Sequence, residues 1–176
     1  MKKTIIILSA VVLMAGITNI TFAQSTVTGT TAGAKIIVPL TLTQTSVLHM
    51  GTMSVLAATP GTCILSTTNT RTTTGGVQLS TMAPLSTNAA YHVVGEPLYD
   101  YAIVLPATII VTAGGGETMT INTLVARPVS KAVDGLIGSL SGTGTDDFSV
   151  GGTLHVSAAQ VAGAYAGTFD VTVNYN

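Results

Sequence analysis

From Gln24 onward, apolar and polar residues alternate at period two in short runs, and turn-forming residues separate the runs. The clearest run lies at the C-terminal end. Phe169, Val171, Val173 and Tyr175 alternate with Thr168, Asp170, Thr172 and Asn174, which predicts a strand with one buried and one solvated face. Similar runs predict strands over 35–43, 76–79, 91–94, 101–105, 108–112, 118–124 and 153–156. Beyond the N-terminal segment no run shows a helical period. Thr74-Gly75-Gly76, Gly114-Gly115-Gly116 and Gly142-Thr143-Gly144 read as breaks, the second as a hairpin turn, and Gly151-Gly152 is short enough to join two strands tightly. Pro106 divides the longest later apolar stretch, 102–113, because a proline inside a central strand would interrupt its ladder. Many short strands at close spacing predict an all-β fold, an antiparallel β-sandwich. A transmembrane barrel would need repeated strands of ~10 residues and aromatic girdles. This chain is 5% aromatic and has no Trp.

The first 23 residues follow a different pattern. Lys2 and Lys3 precede an apolar stretch over 5–17, and Thr21-Phe22-Ala23 sets small residues three and one positions before a cut. This pattern predicts a cleaved signal peptide over 1–23, a short arm over 24–33 and a single domain over 34–176. The stretch is shorter than the ~20 apolar residues of a spanning helix, so no membrane span is expected in the mature chain. Export to the periplasm, the outer surface or the medium is expected.

Composition agrees with an exported β-protein. Charged residues make up 7% of the chain, against roughly 25% in ordinary soluble domains. Thr, Ser, Asn and Gly supply the polarity, and β-branched Thr suits strands. Without the leader, Lys35, Arg71, Arg127 and Lys131 face seven acids, a net charge of about −3. Four scattered cations make no phosphate-binding surface, which excludes nucleic acid as a partner.

Candidate chemistry is sparse. His49, His92 and His155 fall in different segments without metal-ligand spacing, and alternation sets His155 opposite Leu154 and Val156 on a solvated face. Gly138-Ser139-Leu140-Ser141-Gly142 imitates a nucleophile elbow but has Leu140 at the nucleophile position. Gly114-Gly115-Gly116 lacks the Lys-Ser/Thr pair of a phosphate loop. Asp146 and Asp147 follow a flexible stretch and could offer oxygens to Ca²⁺ within a loop, whereas on a strand they would face opposite ways; a solvated turn is the expected reading. The single Cys63 cannot close an intrachain disulfide, and Ile64-Leu65 beside it predicts burial, with pairing between chains as the alternative. Tyr91, Tyr99 and Tyr101 could form an aromatic platform for carbohydrate or could cap the edge of the core. No catalytic, cofactor-binding or metal-binding residue is assigned, and no enzyme activity is expected.

The C-terminal run from Val150-Gly151-Gly152-Thr153-Leu154 through Ala159-Gln160-Val161-Ala162-Gly163-Ala164-Tyr165-Ala166-Gly167-Thr168-Phe169-Asp170 to Tyr175 resembles the DUF4402 family of exported bacterial proteins. Ala34-Lys35-Ile36-Ile37-Val38-Pro39-Leu40, Met50-Gly51-Thr52-Met53, Gly75-Gly76-Val77 and Thr118-Met119-Thr120-Ile121 fit its earlier parts. That family is similar to the pilin and spore-coat-U group of surface subunits. The resemblance implies an immunoglobulin-like sandwich, a pilin-like structural role at the cell surface, and partners met by self-association or strand addition to other surface subunits. Gly163 and Gly167 would permit a tight approach to the last strand, and Tyr165 would plug the sandwich end. Two departures stand out. Cys63 has no intrachain partner, and the arm over 24–33 has only Val27 as a large apolar residue, a poor donor strand. A carbohydrate- or ligand-binding module is the alternative function.

Overall fold

The computed structural model describes residues 25–176; the expected signal peptide lies outside them. Internal contacts divide the chain into a unit ending at Ile36 and a compact unit from Ile37 to Asn176. In the first unit, residues 25–36 form no helix or strand and are exposed. The second unit is built of antiparallel strands in a sandwich-like arrangement, with no helix among the described residues. No described helix could cross a membrane.

The strands are β1 (Thr41–Ser46), β2 (Met53–Val55), β3 (Gly61–Leu65), β4 (Arg71–Gly75), β5 (Val77–Leu79), β6 (Ala89–Val94) and β7 (Asp100–Val104). They continue with β8 (Thr108–Ala113), β9 (Thr118–Pro128), β10 (Ile137–Ser139), β11 (Thr145–Val156), β12 (Tyr165–Ala166) and β13 (Thr172–Tyr175). One large sheet runs β1-β6-β11-β9-β8-β12, with β3 and β4 added beside the second half of β11. Against it stand a three-stranded sheet, β10-β7-β13, and the pair β2-β5. Strand β11 spans both halves, pairing with β6 through Thr145–Val150 and with β3 through Gly152–Val156 along one edge, and with β9 along the other.

Pro106 marks the point where the chain changes sheets. β7 lies in the small sheet and β8 in the large one. The returning segment makes the same crossing in reverse, because Tyr165 pairs with Ala113 and Thr172 with Val104. At the crossing Gly167 presses on Ile110, and a Cβ there would overlap the Ile110 carbonyl oxygen. Gly163 has only an ordinary contact with Ala113, so of the two glycines only Gly167 needs its missing side chain. Tyr165 is half-buried on edge strand β12, and its hydroxyl donates to the Val161 carbonyl.

Alternation predicted most of the longer strands. The first begins at Thr41, six residues later than expected, and β2, β3, β4, β10 and β12 arise where alternation predicted no strand. Gly114–Gly116 forms the hairpin turn, closed by Ala113 N–H to the Glu117 carbonyl, with Gly116 at φ 96°. Gly151 and Gly152 correct the sequence reading, because they lie inside β11 and not at a turn. Their lack of Cβ admits the Leu65 carbonyl at Gly151 and the Leu124 side chain at Gly152, beside a register shift against β9.

Two apolar clusters fill the interior. One gathers Tyr91, Val93, Tyr101, Ile103, Phe148 and Val150 beneath the three-stranded sheet. The other gathers Cys63, Leu65, Val77, Ile109, Ile121 and Leu154 beneath β2-β5. Leu48, Leu124 and Phe169 touch both. Cys63 is fully buried as expected, and burial pushes its thiol pKa up against the lowering influence of Arg71. Arg71 fixes the small pair to the rest: Nη1 donates to the carbonyls of Met50 (3.2 Å) and Thr52 (3.1 Å), and Nη2 to that of Ser80 (2.9 Å). Hydrogen bonds to charged groups contribute about 1.5–3 kcal/mol each. Arg71→Met keeps the apolar stem but removes these donors, and should lower the unfolding free energy by about 3 kcal/mol in urea titration.

Candidate functional site

The structure separates the residues that looked most like a binding platform. Tyr91 and Tyr101 are buried in the core, where Tyr91 stacks on Phe148 at 5.0 Å between ring centroids. Only Tyr99 is half-exposed, and it meets the edge of Tyr175. Tyr99 lies just before β7, outside the strand that carries Tyr101 into the core. The expected aromatic platform is therefore not formed.

Asp146 and Asp147 lie on β11 and not in a solvated turn, and they face opposite sides of the sheet. Asp147 is outside, with His92 Nδ1 at 2.7 Å. Asp146 is buried and accepts from Tyr101 Oη (2.9 Å), Ser130 N (3.1 Å) and Ser130 Oγ (2.6 Å). Ser139 N–H in turn donates to Ser130 Oγ. These partners satisfy the buried carboxylate and tie β7, β10 and the loop after β9 to β11. The two carboxylates thus do not converge on one ion. His155 is exposed, as alternation predicted, and pairs with Asn122 Oδ1 at 2.8 Å. His49 accepts from Gly51 N–H through Nδ1, at a distance from the other two.

Two sheet edges border a row of half-buried apolar side chains and form a seam. β1 ends the large sheet and β13 ends the three-stranded sheet. Among the described residues, no strand pairs with the outer edge of either. Leu40 and Leu42 on one side, and Phe169, Val171, Val173 and Tyr175 on the other, pack against the same core cluster. All six remain half-buried, whereas Val93, Tyr101 and Val150 across the core are sealed. Alternation set the C-terminal side chains inward as predicted, and they stay partly exposed along the seam. The seam is pinned at one end. Tyr175 Oη donates to the Val38 carbonyl and accepts from Glu96 N–H (2.7 Å), while Val38 N–H donates to Glu96 Oε2 (3.1 Å). Two unpaired edges flanking an apolar floor can accept an extended segment, which would supply backbone hydrogen bonds and cover the floor.

The buried phenols give the core a testable pH response. Tyr101 is raised well above the ordinary phenol value, first by burial, then by its hydrogen bond to Asp146 and by the charges of Asp146 and Asp147; Tyr91 is raised by burial. The folded state therefore resists a deprotonation that the unfolded chain undergoes near pH ~10. Stability should be fully present below about pH 10 and fall as the pH rises beyond it. Tyr91→Phe removes one such phenol without taking a bond from Asp146, and should make the fall measurably shallower in denaturant titrations across pH 9–11.

Comparison with known proteins finds one family model, described as a domain of unknown function, DUF4402, that matches residues 40–175. No curated protein matches the chain.

Proposed function

The chain belongs to the DUF4402 family, and we propose that it is an exported, non-enzymatic structural subunit that joins its neighbours by β-strand addition at the seam between β1 and β13. The observation that carries this reading is the half-buried row of Leu40, Leu42, Phe169, Val171, Val173 and Tyr175 between two unpaired strand edges. The pilin-like and spore-coat-U-like role implied by the sequence resemblance agrees with it.

The donor in this reading is the arm of a second copy. Residues 25–36 are exposed and without secondary structure, with Val27 81% and Ile36 95% exposed. Extended at ~3.3 Å per residue, the twelve residues reach about 40 Å, well beyond the seven-residue run from Phe169 to Tyr175 at about 23 Å. The small side chains of Ala32 and Ala34 suit a floor that is already half covered. The poverty of large residues that argued against donation matters less for so shallow a seam. Backbone pairing supplies much of the affinity in strand addition, and the side chains supply register.

Deleting residues 24–33 should abolish higher oligomers in light scattering coupled to size-exclusion chromatography. Val173→Asp, which sets a carboxylate on the acceptor floor, should do the same while leaving the β circular dichroism unchanged. Intact mature chain that stays strictly monomeric at high concentration would reject the reading.

A further inference from the structure

Strand β6 has an exposed apolar tip at each of its ends. Past its last residue, Val94, the chain turns through Glu96-Pro97-Leu98-Tyr99, closed by Tyr99 N–H donating to the Glu96 carbonyl at 3.4 Å. Proline in second place and a φ of 66° in third are the pattern of a type II turn, whose third residue is ordinarily glycine. Here it is leucine. A side chain in the left-handed region crowds its own backbone, and Leu98 is also 78% exposed. Glycine would remove both the crowding and the exposed apolar surface, so neither the turn nor the core accounts for this leucine. The turn is held in place by Leu98 N–H donating to the Ser141 carbonyl (3.2 Å). Exposed Val38 lies beside it, because Val38 N–H donates to Glu96 Oε2.

The opposite tip precedes β6. Met82, Leu85 and, just past β1, Val47 stand exposed there. Their frame is fixed. Thr87 Oγ1 donates to the Val47 carbonyl (2.8 Å), His49 and Thr87 exchange backbone bonds, and Thr52 N–H donates to the Pro84 carbonyl (3.0 Å). Because β1 sets Thr41 opposite Val94 and Ser46 opposite Ala90, the two tips lie at opposite ends of the seam.

On the strand-addition reading, on which this step rests, the seam fixes which tip meets which. Tyr175 reaches from β13 to the Val38 carbonyl and bars the end where β1 starts. A donor arm therefore lies with its N-terminal part towards this bar and Ile36 towards Ser46, parallel to β1 and antiparallel to β13. The donor's compact unit begins at Ile37, next to Val38 and so close to its own Leu98 turn. The arm thus carries the Leu98 tip of the donor to the Val47 tip of the acceptor.

We infer that the Leu98 turn of one copy seats against Val47, Met82 and Leu85 of the next, a head-to-tail contact that stacks joined copies in one direction. Unlike surfaces that meet in this way repeat, and they build a filament unless the rotation closes a ring. The contact does not have to hold two free copies together. The arm keeps the tips at high effective concentration, and the apolar surface they bury steadies the joint. The exposure of Leu98 and its strained backbone then serve one use.

Disulfide trapping between two distinguishable chains tests the contact. Cys63 is sealed in the core, so an introduced cysteine is the only accessible thiol in the mature chain. Chains with Leu98→Cys mixed with chains with Leu85→Cys should give mixed dimers under mild oxidant roughly tenfold faster than either chain alone gives its own dimer. Deleting residues 24–33 from both should bring the mixed product down to the rate of the single chains. Leu98→Gly in the otherwise intact chain should raise the concentration for half-assembly roughly tenfold, with the melting temperature of the dilute monomer unchanged. Oligomers that depend on residues 24–33 but show no preference for the mixed disulfide would overturn the tip contact and leave strand addition standing. Fast mixed disulfides between arm-deleted chains would uphold the contact and reject the arm as its tether. An intact chain that stays monomeric and gives no mixed product would reject both.

Discussion

Strand β11 sets the register of the whole domain. Its twelve residues pair on one edge with β6 and then β3, and on the other with β9, so both core clusters are hung from one backbone. Phe148 and Val150 seal one cluster, Leu154 and Val156 the other, and Asp146 anchors the loop after β9. Because side chains alternate, a slip of one residue would turn every one of these groups to solvent. The close approach of β3 at Gly151 discourages such a slip, since any side chain there would strike the Leu65 carbonyl.

The large sheet is locked at its centre, and among the described residues the outer edge of β1 is unpaired. Val171, Val173 and Tyr175, before and along β13, stay half-buried. Unpaired edges are ordinarily blunted by charge, proline or cover. Here β1 and β13 present Thr, Gln, Val and Asn, and the pin at Tyr175 closes only one end. A subunit built to accept a strand needs such an edge, and a free monomer would gain from hiding it.

The longer strands were legible because each buries one face, so composition alternates with it; β6, β8 and β13 are examples. The short strands were not. β4 reads Arg-Thr-Thr-Thr-Gly, with no apolar residue to mark its inner face, and three-residue β2 and β10 are too brief for a period. Gly151-Gly152 has the sequence of a turn and the role of a tight crossing, a difference fixed by strands remote in sequence. Nothing in the sequence said that Tyr91 and Tyr101 enter the core while Tyr99, just before β7, stays half-exposed. The seam itself was illegible, because it depends on which strands end each sheet. The partners of Asp146 come from Tyr101 and Ser130, residues that only the folded topology brings beside it.

The sealed thiol of Cys63 has a consequence for how the domain comes to be folded. Its one sulfur is enclosed, with a raised pKa that keeps it protonated and unreactive. Cohesion rests on ladders, packing and the Arg71 clasp, so formation of the native state waits on no oxidant and no disulfide-shuffling catalyst. A lone cysteine gives an oxidising milieu no intrachain disulfide with which to lock a wrong fold in place, and folding itself takes the thiol out of reach.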